Sequence, residues 1–485
     1  MRFIMILKGY VFGIGYAMVC LALSLLLYKL GLPKKYTRKF VHILVGFEWV
    51  ILYHFMGAGV HFLAVCILFL LLLLVAYKGS LMPMISSDDD NSPGTVYYAA
   101  AMTGVAFLGC FVPEVMLPFG IGVMCTSVGD GLAGVVGQLF VKRNPKIFGN
   151  KSLLGTLTNV VVSTLSAYVI STAYSLEIGV IGCILIGVIS AELELITPYG
   201  LDNVLVTWCT TALSYSFMYF SGVSNYLIPV IFTPVIIVFA LTKKALTLDG
   251  IIAALVLDLA VSMAYGNRGF VILCTFFVGS IVVDKFKKRY KNQSRKTEEQ
   301  KSDCRDYMQV IANGLPAFVF SVAFLISGKT IFLIPFTASL TEAFSDTVAS
   351  GVGVFSRNTF DPFRMKKCEC GISGGMSLLG TFSSLVAALL MSLISYGVGL
   401  YSFGIFTFWI ITVSAFCGCI LDSMLGSLLQ VKFRCTVCGK VTERREHCGA
   451  DTVRHSGIAV IDNDIVNLIS SSFAALISVL LVMSV

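Results

Sequence analysis

Residues 129–156 read GDGLAGVVGQLFVKRNPKIFGNKSLLGT. Asp130 stands among small residues at the end of an apolar segment; after a short basic stretch, Asn150, Lys151 and Ser152 open the next one. Small residues let backbone approach a ligand, and a helix start offers free N–H groups and a positive dipole end to phosphate. On that reading Asp130 holds a divalent cation and Lys151 meets a phosphate, with Gly129, Gly131, Asn150, Ser152 and Gly155 around the nucleotide. The competing reading is a helix–helix contact, because packed membrane helices also need Gly and Ala. An acid this close to a membrane segment is costly unless it has a partner or a task.

The surrounding chain is that of a polytopic membrane protein. Of 485 residues, 57% are hydrophobic and 13% charged, and the mean hydropathy is +0.88. Apolar runs follow one another from 10–28 to 465–484, predicting an all-α protein of about sixteen transmembrane helices. Its net charge of +8 comes from Lys and Arg in short loops, so nucleic acid is not an expected partner. With the Lys34–Lys39 loop inside, alternation puts the other basic loops inside too. Asp88–Asp90, Asp130, Lys151, Glu192, Asp202, Asp346, Asp422 and Asp462 then share the cytoplasmic side. An integral membrane protein with sites facing the cytoplasm is expected, in the plasma membrane if the source is prokaryotic. Most cysteines lie inside apolar runs as small hydrophobes. Residues 284–308 read as a flexible, charge-rich linker, and Asp88–Asp90 as a solvated loop.

An internal echo divides the chain into two fused modules, 1–222 and 223–485, the second with a cysteine-rich loop at 432–460. The first carries Gly129-Asp130-Gly131, then Lys151-Ser152-Leu153-Leu154-Gly155-Thr156, then Asp202-Asn203. The second carries Ser345-Asp346-Thr347, then Gly374, Gly375 and a second SLLGT ending in Gly380-Thr381, then Asp462-Asn463-Asp464. Repeated order in a membrane protein points to duplicated machinery. In the first module Arg38 and His42 lie four apart and share a helix face; with Lys39 they contact phosphate, lie on the substrate entrance or anchor the inner leaflet. Glu192 and Glu194 are two apart and diverge on a helix, so one of them points to the site. Asp130, Glu192 and Asp202, from three segments, would form a cradle for magnesium with nucleotide oxygens completing the shell.

RKFVH, VGDGLAGVVG, GNKSLLGT and ELITPYGLDN, in that order among apolar helices, resemble the dolichol kinase and phytol kinase family over roughly residues 30–220. That family phosphorylates isoprenoid alcohols in the membrane, commonly with CTP. The resemblance implies nucleotide and magnesium roles for Asp130, Lys151, Glu192 and Asp202. MQVIANG at 308–314, SDTVASGVG at 345–353, GISGGMSLLGT at 371–381, Asp422 in ILDSMLG and IDNDIVN at 461–467 resemble a second family. It includes transmembrane protein 19 and the plant phytyl-phosphate kinase. That resemblance implies metal at Asp346, Asp422 and Asp462 or Asp464, polar contacts from Asn313 and Asn467, and a substrate phosphate at Lys366 or Lys367. The chain departs from the second pattern at Val348 and Gly351, where the family has tryptophan and glutamate; Glu342, one turn before Asp346, is the candidate to compensate.

Cys435-x-x-Cys438 with His447-Cys448 supplies three thiolates and an imidazole, a set suited to structural zinc; a redox-active or simply reduced CxxC is the rival. The expected activity is transfer of phosphate from CTP or another NTP to phytol, geranylgeraniol or a polyprenol, then onward to the diphosphate. Asp130 or Asp202 serves as base, and Asp346 and Asp422 are the catalytic acids of the second module. No complete P-loop occurs. A CDP-lipid-type cytidylyltransferase and a transporter of phosphorylated lipid are the alternatives.

Overall fold

The computed structural model describes residues 2–78, 94–140, 145–148, 151–197, 200–219, 223–243, 245–294, 304–356, 358–368, 373–400 and 404–484. Asn150 and Asp88–Asp90 lie outside them. The chain forms two compact units, Met1–Val230 and Ile231–Val485.

Unit 1 begins with α1 (Arg2–Lys29), α2 (Lys34–Gly46), α3 (Glu48–Met56), α4 (Val60–Lys78) and α5 (Gly94–Gly109). One long segment follows, made of α6 (Met116–Met124), a π-helical turn at Cys125–Asp130 and α7 (Gly131–Leu139). A short antiparallel hairpin of β1 (Lys146–Phe148) and β2 (Lys151–Ser152) leads into α8 (Leu153–Ala173), α9 (Gly179–Ile196) and α10 (Asp202–Tyr219). The core gathers on Trp49, Phe62, Met116 and Phe119. Gly120 makes room for the Trp49 ring, whose atoms would lie 2.3 Å from a Cβ there.

α11 (Leu227–Thr242) spans the boundary between the units. Unit 2 continues with α12 (Leu248–Ser294), bent at Gly266 (φ 59°), α13 (Tyr307–Ser327) and α14 (Leu333–Gly353). A hairpin of β3 (Thr359–Asp361) and β4 (Lys366–Cys368) precedes α15 (Leu378–Gly397) and α16 (Gly404–Leu428). Strands β5 (Lys432–Cys435), β6 (Val441–Thr442), β7 (Glu446–His447) and β8 (Ala450–Ser456) form a sheet in the order β6-β5-β8-β7 before α17 (Asn463–Met483). The core centres on Tyr265, Ile334, Phe336 and Met391.

Eleven helices among the described residues are long and apolar enough to cross a membrane, against the sixteen expected. The difference has physical causes. The runs at 248–265 and 269–283 belong to one bent helix, and α5 and α11 have only 16 residues each. α10 and α14 are too rich in Ser and Thr. These two are interior helices: Thr207, Thr210, Thr211, Thr337, Thr341 and Ser345 are all buried. In α14, for example, the Thr337, Thr341 and Ser345 hydroxyls donate to carbonyls four residues back. The hydroxyls are thereby satisfied and can pack inside a shell of apolar helices. The linker expected at 284–308 is helical through Ser294, and Arg305 returns to α12 through Asp284 at 2.9 Å. The short hairpins and the four-stranded sheet are additions to the all-α expectation.

Candidate functional site

The π-helical turn decides what surrounds Asp130. Widening a helix for one turn frees carbonyl groups from the regular ladder, and such turns recur at functional sites. His42 Nε2 lies 3.0 Å from the Thr126 carbonyl oxygen, which can only accept, so the ring donates there. Lys39 Nζ donates to Asp130 Oδ2 at 2.7 Å, and His42 Nε2 lies 3.7 Å from the same oxygen. Lys39 and His42, three apart, share the face of α2 that meets this turn. Thr126 Oγ1 and Thr207 Oγ1 are 2.8 Å apart, and Thr207 donates to the Asn203 carbonyl at 2.7 Å, joining the turn to the start of α10.

The glycines of the motif are occupied by helix packing. A Cβ on Gly129 would lie 2.2 Å from Ser163 Oγ, one on Gly131 2.4 Å from Ile43, and one on Gly134 2.6 Å from Lys39 Cε. Their smallness brings α2 and α8 against the Asp130 segment, which is how the acid and Lys39 come to meet. The packing reading of the opening stretch therefore accounts for its glycines, and Asp130 is paired with Lys39.

Lys151 sits at the end of the hairpin, where it donates to Glu194 Oε1 and lies 3.4 Å from Asp202 Oδ2. Glu194, not Glu192, is the member of the pair that reaches this group. Burial works against the ammonium, but Glu194, Asp202 and Asp130 more than offset it and hold Lys151 above the usual lysine range. Ser152 caps α8 by accepting the Gly155 N–H at 3.3 Å, and Gly155 lies against Gly137, so these two residues shape the helix entry. Asp130 is committed to Lys39, and Asp202 and Glu194 to Lys151. Asp130, Glu192 and Asp202 do not assemble into the expected magnesium cradle.

Unit 2 repeats the construction with different charges. Ser377 caps α15 by accepting the Gly380 N–H at 3.0 Å, and a Cβ on Gly380 would lie 3.4 Å from the Gly353 Cα. Asp346 on α14 and Asp422 on α16 act electrostatically on Glu342, whose Oε1 is buried without a hydrogen-bond partner. Ser470 donates to Asp422 Oδ2 at 3.2 Å, and the Asn467 amide, turned to satisfy its neighbours, reaches the same oxygen at 3.3 Å. No Lys or Arg of the described residues lies within 4.0 Å of Glu342, Asp346 or Asp422. Lys287 also acts electrostatically on Asp346, and Glu342, Asp346 and Asp422 do not bring their ligand atoms within 4.8 Å of one another.

The remaining expected residues stand elsewhere. Asp462 is the exposed cap of α17, accepting the Ile465 N–H at 3.0 Å, and Asp464 lies in that first turn. Asn313 donates within its own helix to the Gln309 carbonyl. Lys366 is exposed on β4, while Gly374 (φ +84°) turns against Ser427 and is followed by Gly375. At Gly351 a Cβ would lie 2.1 Å from Val283 Cγ1, so close packing with α12 accounts for the missing glutamate. Cys435, Cys438, His447 and Cys448 present ligand atoms within 4.8 Å of one another, and no other group of three or more His, Cys, Asp or Glu among the described residues does so.

Lys39, Glu194 and Glu342 are the charged residues that sequence reasoning weighed without assigning. Asp361 was missed altogether: it is buried, accepts from Ser427 Oγ at 2.6 Å and from the Phe363 and Arg364 N–H groups, and ties the hairpin to α16. Its signal is faint, an Asp-Pro turn ahead of two lysines.

The family model described as integral membrane protein DUF92 matches residues 231–475. An uncharacterized membrane protein of Synechocystis is 34% identical over 196 residues, 39% of this chain and 74% of that protein. The phytol kinase of Synechocystis is 31% identical over 185 residues, 36% of this chain and 76% of the kinase. Protein VTE6 of Arabidopsis thaliana is 25% identical over 264 residues, 53% of this chain and 70% of that protein. No solved structure matches.

Proposed function

We propose that this chain, which belongs to the integral membrane protein DUF92 family, is a membrane phosphotransferase that phosphorylates an isoprenoid alcohol. The donor is CTP or another NTP, and the product monophosphate passes onward to the diphosphate. The observation that carries the reading is the pairing of Lys39 with Asp130 and of Lys151 with Glu194 and Asp202 in a chain related to a phytol kinase.

Phosphoryl transfer asks a protein mainly for positioning and charge compensation. A bond forms between the alcohol oxygen and the γ-phosphorus as the bond to the nucleoside diphosphate breaks. The hydroxyl proton passes to a carboxylate, Asp130 or Asp202. Lys39 and Lys151 compensate phosphate charge, each releasing its carboxylate partner as it does so. Magnesium, when bound, supplies further compensation. Asp346 and Asp422 would be its protein contacts in unit 2, and Asp130 in unit 1. The alcohol lies in the bilayer with its hydroxyl at the inner interface, and the nucleotide arrives from the cytoplasm. In the same reading the Cys/His group holds zinc as a structural ion, since all four ligands come from protein.

Unit 2 is the second kinase on this reading. Purified protein with labelled CTP, magnesium and a panel of prenols should yield mono- and diphosphates. Asp130→Asn should block the alcohol step yet still convert supplied monophosphate, and Asp346→Asn should accumulate monophosphate. Pyrophosphate release would indicate a cytidylyltransferase, and no nucleotide turnover with any prenol would refute the kinase reading in favour of transport. Loss of both steps in either variant would mean one shared site.

A further inference from the structure

The two units differ between their last two helices. In unit 1, residues 197–201 alone separate α9 from α10; in unit 2, the four-stranded sheet stands between α16 and α17. Its outgoing and returning ends run side by side. Val431 N–H donates to the Ile461 carbonyl at 2.8 Å and Ile458 N–H to the Leu429 carbonyl at 2.9 Å. Gly457 (φ +82°) permits this approach, because a Cβ there would lie 2.1 Å from the Gln430 carbonyl oxygen.

The sheet also grips the segment ahead of α15. Lys432 Nζ donates to the Ser373 carbonyl at 2.7 Å, and the Glu443 carboxylate accepts the Ser373 N–H at 3.1 Å. Both backbone polar groups of Ser373 are therefore held, by Lys432 on β5 and by Glu443 just after β6. Just beyond, Gly374 turns against Ser427, and Met376 exchanges two backbone hydrogen bonds of 2.9 Å with Phe360. Ser377 then caps α15. Whatever keeps the sheet rigid keeps this entry in place.

Burial does not supply that rigidity. β6 and β7 have two residues each, and most side chains from 436 to 455 are exposed or only half-buried. So small a sheet is marginal without a cross-link. At its far end, Cys438 Sγ and Cys448 Sγ lie 3.4 and 3.2 Å from His447 Nδ1. The Val437 and Cys438 N–H groups both point at Cys435 Sγ at 3.4 Å, the arrangement of a metal-binding knuckle. The adjacency of His447 and Cys448 is accommodated by positive φ at Cys448 (56°) and Gly449 (71°), which turn both side chains to one point.

We propose that Cys435, Cys438, His447 and Cys448 bind one Zn2+, and that this ion holds the sheet from which Lys432 and Glu443 grip Ser373, fixing the entry to α15. Lys432 and Glu443 are positioning residues. That the entry belongs to an active site rests on the kinase reading of unit 2; the metal and the grip do not.

The test uses the full chain purified in detergent, so that neither readout needs a substrate. Elemental analysis should give one zinc per chain, and Cys435→Ser with Cys438→Ser should remove it. Chelation of wild-type protein, followed by zinc re-addition, avoids dependence on a variant that fails to fold. Hydrogen exchange at residues 373–376 should speed about tenfold or more on chelation and recover on re-addition. Lys432→Met should keep its zinc but show the faster exchange at 373–376. Wild-type protein without zinc would overturn the metal site. Unchanged exchange at 373–376 on zinc removal, or in Lys432→Met, would overturn the grip. Full zinc and exchange responses with no prenol phosphorylation would leave the proposal standing and sink the kinase reading alone.

Discussion

Replacing Lys151 by Met keeps the length of the side chain and deletes the ammonium that faces Glu194 and Asp202. Their side chains are 6% and 14% exposed, against 33% for Lys151. Breaking a buried ion pair by removing one partner costs about 3–5 kcal/mol, and the partial exposure of Lys151 reduces this to about 2–3 kcal/mol. For a unit of this size the loss corresponds to a fall in Tm of roughly 5–10 °C. Thermal unfolding in detergent, followed by loss of the monodisperse species, should show it, and Lys151→Arg should recover most of it. The pH dependence has a definite sign. Because the fold raises the pKa of Lys151, its contribution is complete below the ordinary lysine value of about 10.4 and is lost only as pH rises through the raised one. The gap between wild type and Lys151→Met should therefore not shrink between about pH 7 and pH 9. A Lys151→Met protein melting within about 1 °C of wild type would refute the ion-pair argument.

Three further outcomes follow from the same geometry. Lys39→Met should lower alcohol phosphorylation by about tenfold or more by removing a cation from the phosphate site, and near-normal turnover would remove Lys39 from that role. Gly129→Ala places a methyl 2.2 Å from Ser163 Oγ and should cost about 1–3 kcal/mol; Ser163→Gly in the same chain should recover part of it, read by thermal unfolding. Ser152→Ala and Ser377→Ala each delete a cap and should each cost about 1 kcal/mol, with faster hydrogen exchange confined to the first turn of α8 or α15; an effect spread through either helix would contradict the capping role.

What sequence alone determined here follows from local rules. Apolar runs long enough to cross a bilayer mark an all-α membrane protein, since only internal hydrogen bonding satisfies backbone there. Ser three residues before Gly in each SLLGT marks a helix start, because its side chain must meet an N–H one turn on. Cys435-x-x-Cys438 with His447-Cys448 is also local, and a few turns of chain suffice to gather it. Tertiary structure decided which member of each close pair is used. Successive helical residues are rotated by about 100°, so the choice between Lys39 and Arg38, or Glu194 and Glu192, depends on which face packs inward. Asp130 is 91 residues from Lys39, and Lys151 is 43 from Glu194. Contacts at such separations follow from helix packing, which no spacing in the chain encodes. The same holds for Gly129 and Gly131, whose smallness reads equally well as room for a ligand or for a neighbouring helix until Ser163 and Ile43 are seen to fill the space.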